Sequence, residues 1–363
     1  MRRAIFILLV AGLALAPSVL PAQARTSVST TTASWQGQAA TRPQAPSSEL
    51  TLPLKPNSVR FAVIGDNGTG ERSQYEVADQ MAKFHGKFPF DFVIMLGDNI
   101  YGGDTPADFR LKFELPYKSL LDAGVKFYAS LGNHDNPNER LYTPFNMGGE
   151  RYYTFKKGNV GFFALDSTYM NPAQLAWIEQ RLHGADSGWK ICFFHHPLYS
   201  DAKYHGPDPD LRARIEPLFE KYGVDVVFSG HDHVYERIKP QHGINYFVLG
   251  NSGELRPHDL KSSAATAKGF DTDQGFMLVE IAGDELYFQT VSRTGKTVDS
   301  ATLIKQPARS DFSPLIRENQ IAVETHSRIV PTSIRASYPL AAAACSAAKN
   351  PKMAPPLNCI PPW

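Results

Sequence analysis

The sequence predicts an α/β chain in which two packed mixed β-sheets are flanked by helices, a four-layer sandwich. Three observations lead there. Short apolar runs alternate with segments of helical periodicity, the pattern of strands joined by covering helices. The runs are apolar throughout rather than alternating, as in strands covered on both faces. Two further pairs of runs are joined by short polar breaks, so antiparallel strands accompany the parallel ones.

Taken in order, Val59–Gly65 reads as a buried strand. Arg72–His85 follows, with Tyr75, Val77, Ala78, Met81, Ala82 and Phe84 spaced for an amphipathic helix. Phe92–Gly97 is a second strand. Pro106–Leu121 is a helix opened by proline, a favoured first helical residue. Val125–Gly132 is a third strand. Arg151–Phe155 and Val160–Leu165 flank Lys156–Asn159 as a hairpin. A helix is predicted over Pro172–Leu182, then a strand at Ile191–Phe194 with Cys192 as a buried thiol. Asp210–Tyr222 is helical, with Gly223 as its stop, and Val224–Gly230 is another strand. Gly275–Ile281 and Glu285–Val291 pair across Ala282-Gly283-Asp284. These elements assign residues 58–305 to one catalytic domain.

The ends are different in character. Arg2 and Arg3, the apolar stretch Ala4–Ala16 and the Ala22-Gln23-Ala24 cleavage pattern make residues 1–24 a signal peptide. The chain is therefore expected to be exported, periplasmic or secreted. That stretch is too short for a permanent membrane span, and no later one is long enough. Residues 25–57 are rich in Ser, Thr, Ala, Gln and Pro and read as a flexible leader. Residues 306–363 form a C-terminal extension of unknown role. Within it Cys345 and Cys359 could close a small disulfide loop in an oxidising compartment. Hydrophobic residues make up 42% of the 363, enough for a sizeable core. The net charge of +1, from 37 basic and 36 acidic residues, excludes strong electrostatic attraction to nucleic acid or an anionic membrane.

Five apolar runs end on metal-capable residues: Asp66, Asp98, Asn133-His134, His195, and His231 with His233 two places on. Ligands in open α/β sheets bind at the carboxyl ends of strands. A Gly-Asp pair or a Gly-Asn-His-Asp alone is most often a turn. Five such endings delivering carboxylate, amide and imidazole to one rim indicate a dinuclear site for hard cations.

The blocks Gly65-Asp66-Asn67-Gly68, Gly97-Asp98-Asn99-Ile100-Tyr101, Gly132-Asn133-His134-Asp135, His195-His196-Pro197 and Gly230-His231-Asp232-His233 resemble the calcineurin-type metallophosphoesterase motifs. More narrowly they resemble the purple acid phosphatases, especially the small tartrate-resistant type. The likeness covers about residues 59–300, with the blocks in the family's order. It implies the metallophosphoesterase fold. It gives Asp66, Asp98, Tyr101 and His233 to a first metal, and Asp98, Asn133, His195 and His231 to a second. His134 would stand beside the substrate, with Asp135 as a candidate to hold its ring. His205 would be a second substrate-facing histidine, although its spacing from His195 is slightly longer than in that type.

Tyr101 decides the first metal. The wider superfamily begins Asp-x-His, but the third residue here is Gly68, and ligation passes to a tyrosine. A phenol ordinarily titrates near pH 10 and binds as phenolate only to a strongly Lewis-acidic ion, which favours Fe(III). The second site, with neutral Asn and two His, suits divalent Fe, Zn or Mn. The resemblance then implies an acid phosphatase that cleaves phosphomonoesters by attack of a metal-bound hydroxide. A phosphodiesterase acting on nucleotide or lipid-headgroup diesters is the rival reading. A metal-bound binding protein without turnover is a further one, and would lack a ligand or His134. The loop Ser252–Gly275, with Arg256, His258, Lys261 and Lys268, could contact phosphate or leaving group.

His196 is expected to be structural, on the opposite face of its strand from His195. His85, His183, His242 and His258 are expected at the surface. The sequon Asn67-Gly68-Thr69 lies inside a metal motif and is expected to be unmodified. The loop from Asp166 to Pro172 is short where the animal enzymes carry a longer loop cut for activation. The expected partner is a small phosphate ester, and the oligomeric state is open.

Overall fold

A computed structural model describes residues 49–306. The signal peptide, most of the leader and the extension with Cys345 and Cys359 lie outside the described residues. In chain order the strands are β1 Val59–Ile64, β2 Phe92–Met95, β3 Lys126–Ala129, β4 Tyr153–Lys157, β5 Val160–Ala164, β6 Trp189–Phe193 and β7 Val226–Ser229. They continue as β8 Tyr235–Ile238, β9 Asn245–Leu249, β10 Thr266–Phe270, β11 Gly275–Ala282, β12 Glu285–Ser292 and β13 Thr297–Ile304. The helices are α1 Arg72–His85, α2 Pro106–Phe109, α3 Lys118–Asp122, α4 Pro172–His183 and α5 Pro209–Tyr222.

Two mixed sheets result. A six-stranded sheet runs β13-β12-β11-β1-β2-β3, and a seven-stranded sheet runs β10-β8-β9-β7-β6-β5-β4. β1, β2 and β3 are parallel neighbours, as are β5, β6, β7 and β9. The parallel strands therefore present their carboxyl ends as two neighbouring sets, and the loops that leave them build the site.

Strand alternation explains the four layers. Phe61 and Val63 of β1 face the second sheet and pack with Phe162, Ile191, Phe193 and Phe228. Phe61 stacks on Phe92 at 5.2 Å and meets Phe162 edge-on at 5.3 Å. Ala62 and Ile64 point the other way, into a cluster with Val77, Met81 and Phe84 of α1. On the far side of the second sheet, Cys192 and Val227 pack with Ile178 and Leu182 of α4 and Ile215 and Phe219 of α5. Both faces of β1 and β2 are apolar because both are covered.

The single helix expected over Pro106–Leu121 is broken. α2 passes into a π-turn at Arg110–Glu114, and α3 starts only at Lys118. Pro116 is the cause: it has no N–H to offer the carbonyl of Lys112. That carbonyl accepts the side-chain amide of Gln74 on α1 instead, and Leu115 N bonds back to Arg110 O at 2.9 Å.

The leader boundary at residue 57 also needs correction, because residues 49–57 are docked. Gln289 Nε2 donates to Glu49 O at 2.8 Å, Thr51 N donates to Gln289 Oε1 at 2.9 Å, and Leu54 N donates to Glu280 Oε2 at 2.9 Å. Leu52 is buried. Gln289 and Glu280 are buried polar side chains on β12 and β11, and this backbone satisfies them. The composition of the stretch gave no sign of that demand.

Candidate metal centre

All nine residues singled out in the sequence lie on loops that leave strand ends of the two sheets. Asp66 follows β1, Asp98 and Tyr101 follow β2, Asn133 and His134 follow β3, His195 and His205 follow β6, and His231 and His233 follow β7. Three of them sit in left-handed backbone: Asp66 at φ 52°, Asp98 at φ 51° and His231 at φ 69°. A non-glycine residue adopts that region at a cost of about 1 kcal/mol or more, and such strain concentrates at functional sites. Here it turns each side chain inward immediately after the strand.

The side chains fall into two groups. In one, Tyr101 Oη donates to Asp66 Oδ1 at 3.2 Å and lies 3.4 Å from His233 Nε2, which is itself 3.4 Å from Asp66 Oδ1. In the other, His195 Nε2 lies 2.9 Å from Asn133 Oδ1, 3.1 Å from His231 Nδ1 and 3.5 Å from Asp98 Oδ1. Asp98 connects the groups, since donor atoms of Asp66, Asp98 and His195 fall within 4.8 Å of one another. Two donors bound at about 2.1 Å to one ion at near right angles lie about 3 Å apart, which is the spacing found here.

Proton positions sharpen the fit. His195 Nδ1 lies 3.0 Å from Leu96 O, so that nitrogen carries the proton and donates it. Nε2 is then a bare lone pair, and it faces the acceptor oxygen of Asn133. Two lone-pair atoms, His195 Nε2 and Asn133 Oδ1, converging with no proton between them suit a cation. Burial, then the neighbouring His196, holds His195 well below the usual imidazole range. Burial, then His195, does the same for His231, and burial also lowers His233. Neutral imidazole is the ligating form.

The two carboxylates add the opposite charge. Asp66 is raised well above the usual range by burial and then by Asp98, against the hydrogen bond from His231 N at 2.9 Å. Asp98 is raised by burial, against the hydrogen bond from His134 N at 2.9 Å. The Tyr101 phenol is pushed far above its ordinary range by burial and then by the charges of Asp66 and Asp98. Two buried carboxylates, neutral imidazoles and a phenol that only a strong cation would ionise fit a pair of metal ions.

Glycines make room for this. A Cβ on Gly132 would sit 2.1 Å from Asp98 Oδ1, and one on Gly230 would sit 2.4 Å from Asp66 Oδ2. Asn67, the sequon residue, is fully buried.

Two sequence expectations are corrected. Asp135 does not hold the His134 ring. It accepts from Asn99 N at 2.6 Å, Asn99 Nδ2 at 2.8 Å and Gly132 N at 2.8 Å, so it ties the loops after β2 and β3 together. Burial, then Asp98, pushes its carboxyl up to about 7. His196 is not turned away from the site: its ring lies 4.5 Å from that of His231, and its Nδ1 lies 2.9 Å from Ser167 Oγ. β6 ends at Phe193, so strict alternation no longer applies at His196, three residues later.

His134 and His205 are exposed at the rim, His134 with its ring 5.2 Å from Tyr101 and His205 with its ring 4.1 Å from His231. A cleft of about 410 Å³ is lined by His196, Tyr204, His205, Asp208 and His231. A second of about 460 Å³ shares Asp208 and is lined by Ser167–Asn171, Asp210, Leu211 and Arg214. His183, His242 and His258 are exposed, and His85 is half-buried against Phe90.

The two sheets and the donor set on their shared rim define a metal-dependent phosphoesterase. The family model described as calcineurin-like phosphoesterase matches residues 59–235. Tartrate-resistant acid phosphatase type 5 of Rattus norvegicus is 25% identical over 302 residues, covering 69% of this chain and 92% of the relative. Purple acid phosphatase 4 of Arabidopsis thaliana is 28% identical over 274 residues, covering 64% of this chain and 80% of the relative. Among solved structures, GAP50, the anchor in the inner membrane complex of Plasmodium, shares the fold with a TM-score of 0.60 at 20% identity, covering 69% of this chain and 90% of that one.

Proposed function

We propose that this chain is an exported acid phosphatase that hydrolyses phosphomonoesters at a dinuclear metal centre. Asp66, Asp98, Tyr101 and His233 would hold Fe(III), and Asp98, Asn133, His195 and His231 a divalent Fe, Zn or Mn ion. The observation that carries the reading is His195 Nε2, left without a proton because Nδ1 donates to Leu96 O, meeting Asn133 Oδ1 and His231 Nδ1 at 2.9 and 3.1 Å. The acid phosphatase names of the rat and Arabidopsis relatives support the substrate class.

Bound cations of this kind neutralise phosphate charge and acidify water. The protein's own groups do the rest. Asp66 and Asp98 each have one oxygen fixed by a backbone N–H, so their carboxylates meet substrate and ions without reorganising. Burial, then Arg256, holds His205 below the usual imidazole range, so at neutral pH its ring is uncharged and can donate one N–H to a phosphoryl or leaving oxygen. His134 stands at the same rim and can give a proton to the departing oxygen.

Export is supported by the sequence of residues 1–24, and no helix among the described residues is long and apolar enough to cross a membrane. Cleavage after Ala24 is checked by sequencing the N-terminus of the exported protein.

The direct assay compares p-nitrophenyl phosphate with bis(p-nitrophenyl) phosphate on metal-loaded protein. Faster turnover of the monoester is expected. Preference for the diester would establish the phosphodiesterase reading, and turnover of neither would retire hydrolysis in favour of a binding role.

A further inference from the structure

We propose that Arg256, backed by Tyr204, forms an anion-accepting subsite on the leaving-group side of the metal centre. The preferred substrates are then phosphate esters whose leaving group carries a second anionic group, a carboxylate or another phosphate. The proposal deepens the phosphatase reading and rests on it for the word substrate.

Arg256 is held at the site by backbone. Its N–H donates to His233 O at 3.0 Å, and two residues earlier Glu254 N donates to Asp66 O at 3.0 Å. Its guanidinium carbon lies 3.6 Å over the ring of Tyr204. The Tyr204 ring is 4.6 Å from that of His205, which is 4.1 Å from that of His231. The cation thus stands one ring beyond the histidine at the rim. Tyr204 is 67% exposed, which is unusual for a large aromatic and puts one member of the stacked pair at the surface beside the half-buried Arg256.

The guanidinium lacks what such a group requires. Its Nη1 is buried without a hydrogen-bond partner, and none of the ion pairs among the described residues includes Arg256. Arg256 is half-buried, and a guanidinium with one desolvated donor and no counter-ion is costly. The acidic neighbours are otherwise engaged or unpaired. Asp259 Oδ1 accepts from Lys203 N at 3.2 Å and Tyr204 N at 3.1 Å. Glu254 influences Tyr101 and His233 and makes no ion pair with Arg256. A planar five-donor cation stacked on an aromatic face is preorganised for a carboxylate or phosphate. A dianionic ligand could place one group among the metal ligands and the other here.

The test compares two non-hydrolysable probes on metal-loaded protein by calorimetry: 3-phosphonopropionate, which adds a carboxylate, and propylphosphonate, which does not. Wild type should bind the first about tenfold more tightly, the worth of one charge-assisted contact. Arg256→Ala should bring the ratio to about one, and Arg256→Lys should leave part of it. Should Arg256→Ala fail to fold, Tyr204→Ala on the exposed ring decides, with the ratio expected to fall. A wild-type ratio of one overturns the proposal and would place Arg256 in a structural role turned onto Asp259. So would a ratio that neither substitution changes. The same preparation is assayed with p-nitrophenyl phosphate: no turnover there sinks the phosphatase reading alone, because the binding ratio is read without it.

Discussion

At the scale of single residues, the site is a problem of aiming lone pairs at a common point. The left-handed backbone at Asp66, Asp98 and His231 and the Leu96 carbonyl on His195 solve it. Gly132 leaves the space, which yields a sharp prediction. Gly132→Ala would put a Cβ 2.1 Å from Asp98 Oδ1 and 2.3 Å from Asp98 N, both in immobile surroundings. Metal content per chain should fall sharply and phosphatase activity with it. Gly184→Ala, where the nearest atom is Gln180 O at 3.4 Å, should retain both, and elemental analysis of the two variants checks the contrast. The candidate ligands Asp66, Asp98, Asn133, His195 and His231 were legible because each ends an apolar run, so sequence position and spatial position coincide. Asp135 was misread because a neighbour in sequence was taken for a neighbour in space, and His196 because strand alternation was carried past the end of its strand. Asp135 reaches back to Asn99, and His196 lies beyond the end of β6 where the strand rule lapses.

At the scale of elements, the parallel strands β1, β2, β5, β6 and β7 were legible because burial on both faces makes them apolar without interruption, whereas β9, equally buried and parallel, was passed over. β8, β9, β10 and β13 were missed. β10, with the sequence Thr-Ala-Lys-Gly-Phe, and β13, with alternate residues exposed, lie at sheet edges and need no apolar run. β8 is pinned by a buried polar contact that no periodicity reveals. Glu236 accepts from Asp201 N at 2.9 Å and Thr266 Oγ1 at 2.5 Å, joining β8 to β10 and to the loop that carries His205. Burial pushes its carboxyl up from 4.5 to about 7. Below about 4.5 both folded and unfolded chains hold this proton. Between 4.5 and about 7 the folded chain keeps a proton the unfolded chain has lost, so this group's contribution to stability declines as pH rises through that window. Melting temperatures of wild type and Glu236→Gln, compared from pH 4 to 8, should show the wild-type advantage shrinking across that range. A constant difference would contradict the assignment.

At the scale of the whole molecule, four layers bring two sets of strand ends together, and neither sheet alone carries all of either proposed ligand group. The first sheet supplies Asp66, Asp98, Tyr101 and Asn133, the second His195, His231 and His233. The link from Asp166 to Pro172 is short, and its residues Ser167–Asn171 line an open cleft of about 460 Å³ rather than cover the rim. Limited trypsin treatment is therefore expected to leave activity unchanged or lower, and a large gain would show a masking segment. The central claim is that both sheets together hold two ions, one of them Fe(III) on Tyr101. The measurement that tests it most directly is the metal content of the purified protein together with its visible spectrum, for wild type and Tyr101→Phe. Two metal ions per chain, at least one of them iron, and a broad green-to-yellow absorption that Tyr101→Phe abolishes are the predicted result. A colourless wild-type protein, or one that retains fewer than two ions after reconstitution, would contradict it.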